Sequence, residues 1–245
     1  MARIQLRDTT IFIQDGLSGT AATNGVVADL ATTGAIDTIV LNTDDTDLVP
    51  VGARFQFAGD LTTTHTVTGR TPASTSPTTS IDFTPAKNGA SGAAEAITFY
   101  PQRIEIKIGD GDLSWTEARN FEYDLDRDQL DTVRQGEDVP VSVDMAFTFE
   151  YVTTESGQAI TPVDALKRTG EASEWVSSSA DLCEPYAVDI YVIHNVPCGT
   201  DQDQDFLFPD FRWESLEYSI ADAAISVSGQ CNVTDVVTTR ATDIV

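Results

Sequence analysis

The sequence predicts a mainly β protein, on three observations. Helix-forming stretches are scarce, while Thr, Val, Ser, Gly and Asp are frequent, a composition suited to pleated strands and tight turns. Runs in which apolar and polar residues alternate with period two recur along the chain, giving each strand one oily and one wet face. The runs are short and bounded by Gly, Pro, Asn or Asp. With 245 residues and 41% hydrophobic content, the chain can fill the core of one large β domain or of two smaller ones.

The first strand signals are Arg3 to Leu6 and Thr10 to Ile13, closed by a turn at Asp15-Gly16. From Leu17 to about Tyr100 the chain becomes rich in Thr, Ala and Gly, without Trp or Cys. Five short signals follow there: Asp37 to Leu41, Ala53 to Phe57, His65 to Thr68, Ser80 to Phe83 and Ala96 to Phe99. Strands so closely spaced predict a small barrel or sandwich. Residues 17–100 therefore read as an inserted β domain, and residues 1–16 with 101–245 as the principal one.

Arg103 to Ile108 and Val141 to Tyr151 alternate cleanly, and their wet sides carry Glu105, Lys107, Asp144, Thr148 and Glu150. Between them a tight turn is expected at Gly109-Asp110-Gly111, then strand signals at Leu113 to Ala118 and Phe121 to Leu125. An acidic loop is expected from Asp126 to Pro140, with Leu130 and Val133 as its apolar anchors. One short helix is predicted from Thr161. Thr161 suits the N-cap, Pro162 the first turn and Asp164 the positive end, while Lys167, Arg168 and Gly170 suit the C-terminus. A three-strand meander closes the chain: Tyr186 to His194, Phe206 to Tyr218 and Ala224 to Val233, followed by a loose tail from Thr234.

The formal net charge is −25, and it is uneven. Residues 1–100 hold ten acidic and five basic side chains, against 29 and nine in residues 101–245. Such a chain does not hold DNA or anionic lipid through an electropositive patch; it repels phosphate. No run of 18 apolar residues and no apolar leader segment is present, so neither a membrane span nor a secretory signal is expected. Three cysteines without CxxC spacing and two histidines give no basis for a zinc site. Cys183 and Cys198 flank a predicted strand that would hold them too far apart to bond.

Catalytic motifs fail one by one. His65 and His194 have no nucleophile elbow nearby. Asp124 to Asp128 and Asp201 to Asp205 both read DxDxD, yet neither has the Gly and Glu that a calcium loop requires. Gly109-Asp110-Gly111 lacks the third glycine of a dinucleotide site. Neither catalysis nor a cofactor or metal is expected.

Several separated runs, in order, resemble the major tail tube proteins of long-tailed, non-contractile bacteriophages. They are Ile106-Lys-Ile-Gly-Asp-Gly-Asp-Leu-Ser-Trp-Thr-Glu, Tyr123 to Val141, Thr161-Pro-Val-Asp-Ala-Leu-Lys, Ser173-Glu-Trp, Cys183-Glu-Pro-Tyr and Phe208-Pro-Asp-Phe-Arg-Trp-Glu-Ser-Leu. The resemblance implies two packed antiparallel sheets with one flanking helix, forming homohexameric rings that stack into a virion tube after synthesis in the host cytoplasm. It implies a tape-measure protein in the lumen, tail terminator and distal tail proteins at the ends, and DNA passing without specific binding or membrane contact. The matching inter-ring loop is Asp126, Arg127, Asp128, Leu130, Asp131, Val133, Arg134, Glu137 and Asp138. Glu105, Glu122, Asp144 and Glu150 are the candidates to face the lumen, and residues 17–100 are expected outside the tube. The competing expectation is a β-sandwich carbohydrate- or receptor-binding module of the adhesin kind, which would need aromatic residues on exposed loops.

Overall fold

The computed structural model describes residues 8–17, 27–29, 35–41, 49–72, 78–88, 96–108, 112–127, 129–148, 150, 152–153, 159–179, 181, 183–195 and 202–241. In chain order the strands are β1 (Thr9–Gln14), β2 (Val27–Asp29), β3 (Ala35–Leu41), β4 (Arg54–Phe57), β5 (Asp60–Thr71), β6 (Ser80–Asn88), β7 (Ile97–Tyr100), β8 (Arg103–Ile106) and β9 (Leu113–Thr116). They continue with β10 (Phe121–Asp126), β11 (Gln129–Gln135), β12 (Ser142–Thr148), β13 (Val152–Thr153), β14 (Ala159–Ile160), β15 (Val188–His194), β16 (Asp203–Ser219), β17 (Ala224–Gln230) and β18 (Val237–Ala241). The helix α1 (Pro162–Lys167) is followed by a 3-10 turn, Gly170–Ala172. The protein is mainly β, with two multi-stranded antiparallel sheets and one short helix, as the composition predicts.

The chain forms two compact units. One comprises Met1–Ile13, Glu105–Glu150 and Asp181–Val245; the other comprises Gln14–Ile104 and Tyr151–Ala180. The boundaries differ from those read in the sequence, because the segment with α1 and Trp175 groups with residues 17–100 rather than with the longer domain. Side-chain bonds explain this grouping. The guanidinium of Arg70 on β5 is bidentate to Glu174, at 2.6 and 2.8 Å. Glu174 also accepts from the Val51 amide, and Asp15 accepts from the amides of Leu17, Gln102 and Val176.

The first unit is built on an eight-stranded sheet, in the order β8-β1-β15-β16-β17-β12-β9, with β18 added beside β16. β16 is 17 residues long and serves two ladders. Its first half pairs with β15 and β18 and its second half with β17. Asp210, at φ 53°, and register shifts on both sides mark the changeover. The halves face each other: the Trp115 ring of β9 lies 5.4 and 5.2 Å from those of Phe206 and Phe208. Val143, Met145 and Phe147 of β12, Ile225 and Val227 of β17, and Ile190 of β15 are buried between them. β8 and β12 are thus far apart in strand order, yet the sheet curls, and the Thr148 amide donates to the Lys107 carbonyl. Gly229 is required where β16 and β17 meet at a bulge; a Cβ there would lie 2.2 Å from the Arg212 carbonyl oxygen.

The second unit holds a six-stranded sheet, β2-β3-β6-β5-β4-β7. Its core is a group of rings, Phe55, Phe57, Phe83 and Phe99, around His65. His65 is fully buried, with Nδ1 2.6 Å from the Pro85 carbonyl. α1 is capped as the sequence predicts. The Thr161 hydroxyl accepts from the Asp164 amide and the Asp164 carboxylate accepts from the Thr161 amide. The left-handed position at its end is taken by Arg168, at φ 53°, as well as by Gly170.

Two expectations are corrected. The tail after Thr234 is not all loose, because Val237–Ala241 is paired to β16. The acidic loop from Asp126 to Pro140 is in its first half the strand β11, paired antiparallel to β10. The strand signal Arg3 to Leu6, the Gly109–Gly111 turn, Asp128 and Cys198 lie outside the described residues.

Candidate functional site

The hairpin β10–β11 forms its own two-stranded sheet, apart from both larger ones. Its register pairs Phe121 with Gln135, Tyr123 with Val133 and Leu125 with Leu130. Period-two geometry therefore puts Phe121, Tyr123, Leu125, Leu130 and Val133 on one face. All five are exposed, by 46–65%. The other face carries Glu122 opposite Arg134, and Asp124 opposite Thr132. Arg134 is 3.3 Å from Asp124, and the Thr132 hydroxyl donates to the same carboxylate. Arg127 turns the chain at φ 51°.

A two-stranded ribbon is marginal in water without a surface to lie on. Fully burying a side chain of this size is worth about 1.5–3 kcal/mol, and these five are already about half covered. The apolar face therefore holds on the order of 5 kcal/mol of unrealised burial. That is near the lower end of the ~4–15 kcal/mol cost of bringing two proteins together.

The root of the hairpin is fastened in three ways. The Gly136 amide donates to the Asn120 carbonyl. Arg119 pairs with Asp235 at 2.7 Å, and the Val236 amide donates to Glu117. Arg119 holds the Asp235 carboxyl below its usual range through this hydrogen bond. Glu137 and Asp138 lie beside a small cleft at this root, lined also by Arg119 and Asp235.

The second feature is the wet face of β9, β12, β17 and the later half of β16. There an open concavity of about 330 Å³ is lined by Asp112, Ser114, Asp144, Ser215, Glu217 and Ser228, with no cationic side chain in its lining. The Ser215 and Ser228 hydroxyls are 2.7 Å apart across the strands. Small hydroxyl groups and three carboxylates leave the face shallow and anionic.

The four acidic candidates fall in different places. Asp144 is exposed in this concavity. Glu105 is exposed on β8, Glu122 is on the charged face of the hairpin, and Glu150 forms an ion pair with Lys107 at 3.1 Å. Sequence reasoning missed Asp112 and Glu217. The alternation Ser215-Leu216-Glu217 within β16 carried the signal for Glu217, but no local feature linked it to Asp144. Of the nine loop candidates, Leu130, Val133 and Arg134 lie on β11 with the backbone of Asp131, while Asp126 ends β10.

Cys183 is exposed and Cys231 is buried; both are free. Burial pushes the Cys231 thiol up to about 12, so it stays protonated and unreactive. No helix among the described residues is long and apolar enough to cross a membrane. Comparison with protein-family models, with curated proteins and with solved structures gave no match.

Proposed function

We propose that the chain is the subunit of a self-assembled tube, of the kind built by the phage tail tube proteins that its sequence resembles. The observation that carries this reading is the two-faced hairpin Phe121–Gln135, whose apolar face is left to water in a single chain. In this reading the hairpin is the joint between stacked rings. Burial of the hairpin alone barely offsets the cost of association, so ring contacts along strand edges must act with it. Edge strands that would be a hazard in a monomer become the assembly surface in a closed ring. The shallow anionic face around Asp112, Asp144 and Glu217 suits the wall of a conduit, since it repels phosphate and offers it no cation. The proposed role is structural, with no reaction.

Electron microscopy of the purified protein tests the reading. Six-fold rings or hollow tubes are expected from wild type at high concentration, and neither from a variant with residues 121–135 replaced by a short turn. A wild type that stays monomeric at high concentration and in nucleated mixtures would overturn the proposal. Binding of that monomer to glycans would favour the adhesin-like alternative.

A further inference from the structure

Away from both surfaces, Asp205 sits in the middle of a three-strand ladder. It pairs with Ile193 of β15 on one side and Thr239 of β18 on the other. It is only 4% exposed. One carboxyl oxygen accepts a hydrogen bond from the Tyr191 hydroxyl; the other, Oδ1, is buried with no hydrogen-bond partner among the described residues. Register identifies the groups sharing its face. Tyr191 comes from β15 and Asp203 from β16; β18 contributes Val237 and Thr239, neither of them titratable. No cation shares this face on the three strands. β18, in turn, pairs with β16 alone among the described strands, with Thr239 opposite Asp205.

We propose that Asp205 is a proton-operated latch for the strand Val237–Ala241, closed when the carboxyl is neutral and loosened when it ionises. An ionised carboxylate with one oxygen desolvated and unpartnered, beside a second acid, is costly; the neutral acid bears the same surroundings at much lower cost. Burial accordingly raises the Asp205 pKa, with Asp203 adding to the rise and Tyr191 opposing it. The sign follows. With a latched pKa above the open one, the latch is fully closed below the open-state value and weakens as pH rises through the latched value. Release of β18 would uncover the Asp203–Leu207 edge of β16, a short stretch able to accept a strand from elsewhere.

Hydrogen exchange of the full-length protein, read as protection factors for Val237–Ala241 with β17 amides as the internal reference, tests this. In wild type, protection of β18 should fall by up to tenfold per pH unit above about pH 4 and then level off. Asp205→Asn should keep its β18 protected with no such fall. Tyr191→Phe should move the fall to higher pH and Asp203→Asn to lower pH. A wild-type β18 whose protection is absent or independent of pH overturns the proposal, and so does an Asp205→Asn variant that retains the wild-type fall.

Discussion

Thr161 and Glu174 show what single residues reveal and conceal. The cap of α1 was legible because its parts are three residues apart: Thr161 and Asp164 satisfy each other's amides. Thr161→Ala should cost about 1 kcal/mol, read as a lower urea midpoint for the second unit by the fluorescence of the buried Trp175. The Arg70–Glu174 pair was not legible, since 104 residues separate its members and charge pairing at that distance has no sequence signature. The Arg70 side chain is 2% exposed, so removing its partner strands a buried cation. Glu174→Gln should destabilise the unit by roughly 1–3 kcal/mol. Its hydrogen bonds with Arg70 hold the Glu174 carboxyl below the usual range. The stability it adds is therefore present above the ordinary carboxylate pKa and lost as pH falls through the lowered value. The gap between wild type and Glu174→Gln should close on acidification. Gly229→Ala should be worse than either Thr161→Ala or Glu174→Gln. Its Cβ would meet backbone at 2.2 Å, and a loss of about 3 kcal/mol or more should appear in the melting of the first unit.

At the level of elements, most strands could be read from alternation, and β11 could not. Leu130 and Val133 are three residues apart, a spacing that fits neither face of a regular strand. The bulge that shifts the partners of Asp124 and Leu125 from Thr132 to Leu130 resets the parity at Asp131, so both side chains reach the same face. Polar flanks and a broken period then read as a loop. Part of the candidate site was hidden for this reason: the acidic residues were evident, while the apolar face that distinguishes a docking hairpin was not. The double variant Leu125→Asp, Leu130→Asp should leave the thermal midpoint of the monomer nearly unchanged, because both residues already face water. The same variant should abolish rings and tubes in negative-stain images. A large drop in monomer stability would instead mean that the hairpin packs on its own chain.

Across the whole molecule, the fold class was available from composition and alternation, but the division into units was not. That division depends on which side chains meet after folding, as Asp15 and Glu174 do with their distant partners, and no local pattern records it. The net charge of −25 also acts at this scale. Copies repel at low ionic strength, and the screening length falls to about 10 Å at 0.1 M salt. Assembly followed by light scattering should therefore speed up several-fold between about 10 and 200 mM NaCl. The protein should not shift duplex DNA in a gel even at the lower salt. The long strand β16 has a mechanical consequence. At ~3.3 Å per residue its 17 residues trace up to about 55 Å of chain through both ladders, in two runs that meet at Asp210. Tension applied along either run is borne by the covalent backbone and by many hydrogen bonds sheared together. Tension applied across it would peel the same bonds one at a time, so the subunit should be strong lengthwise and weak sideways.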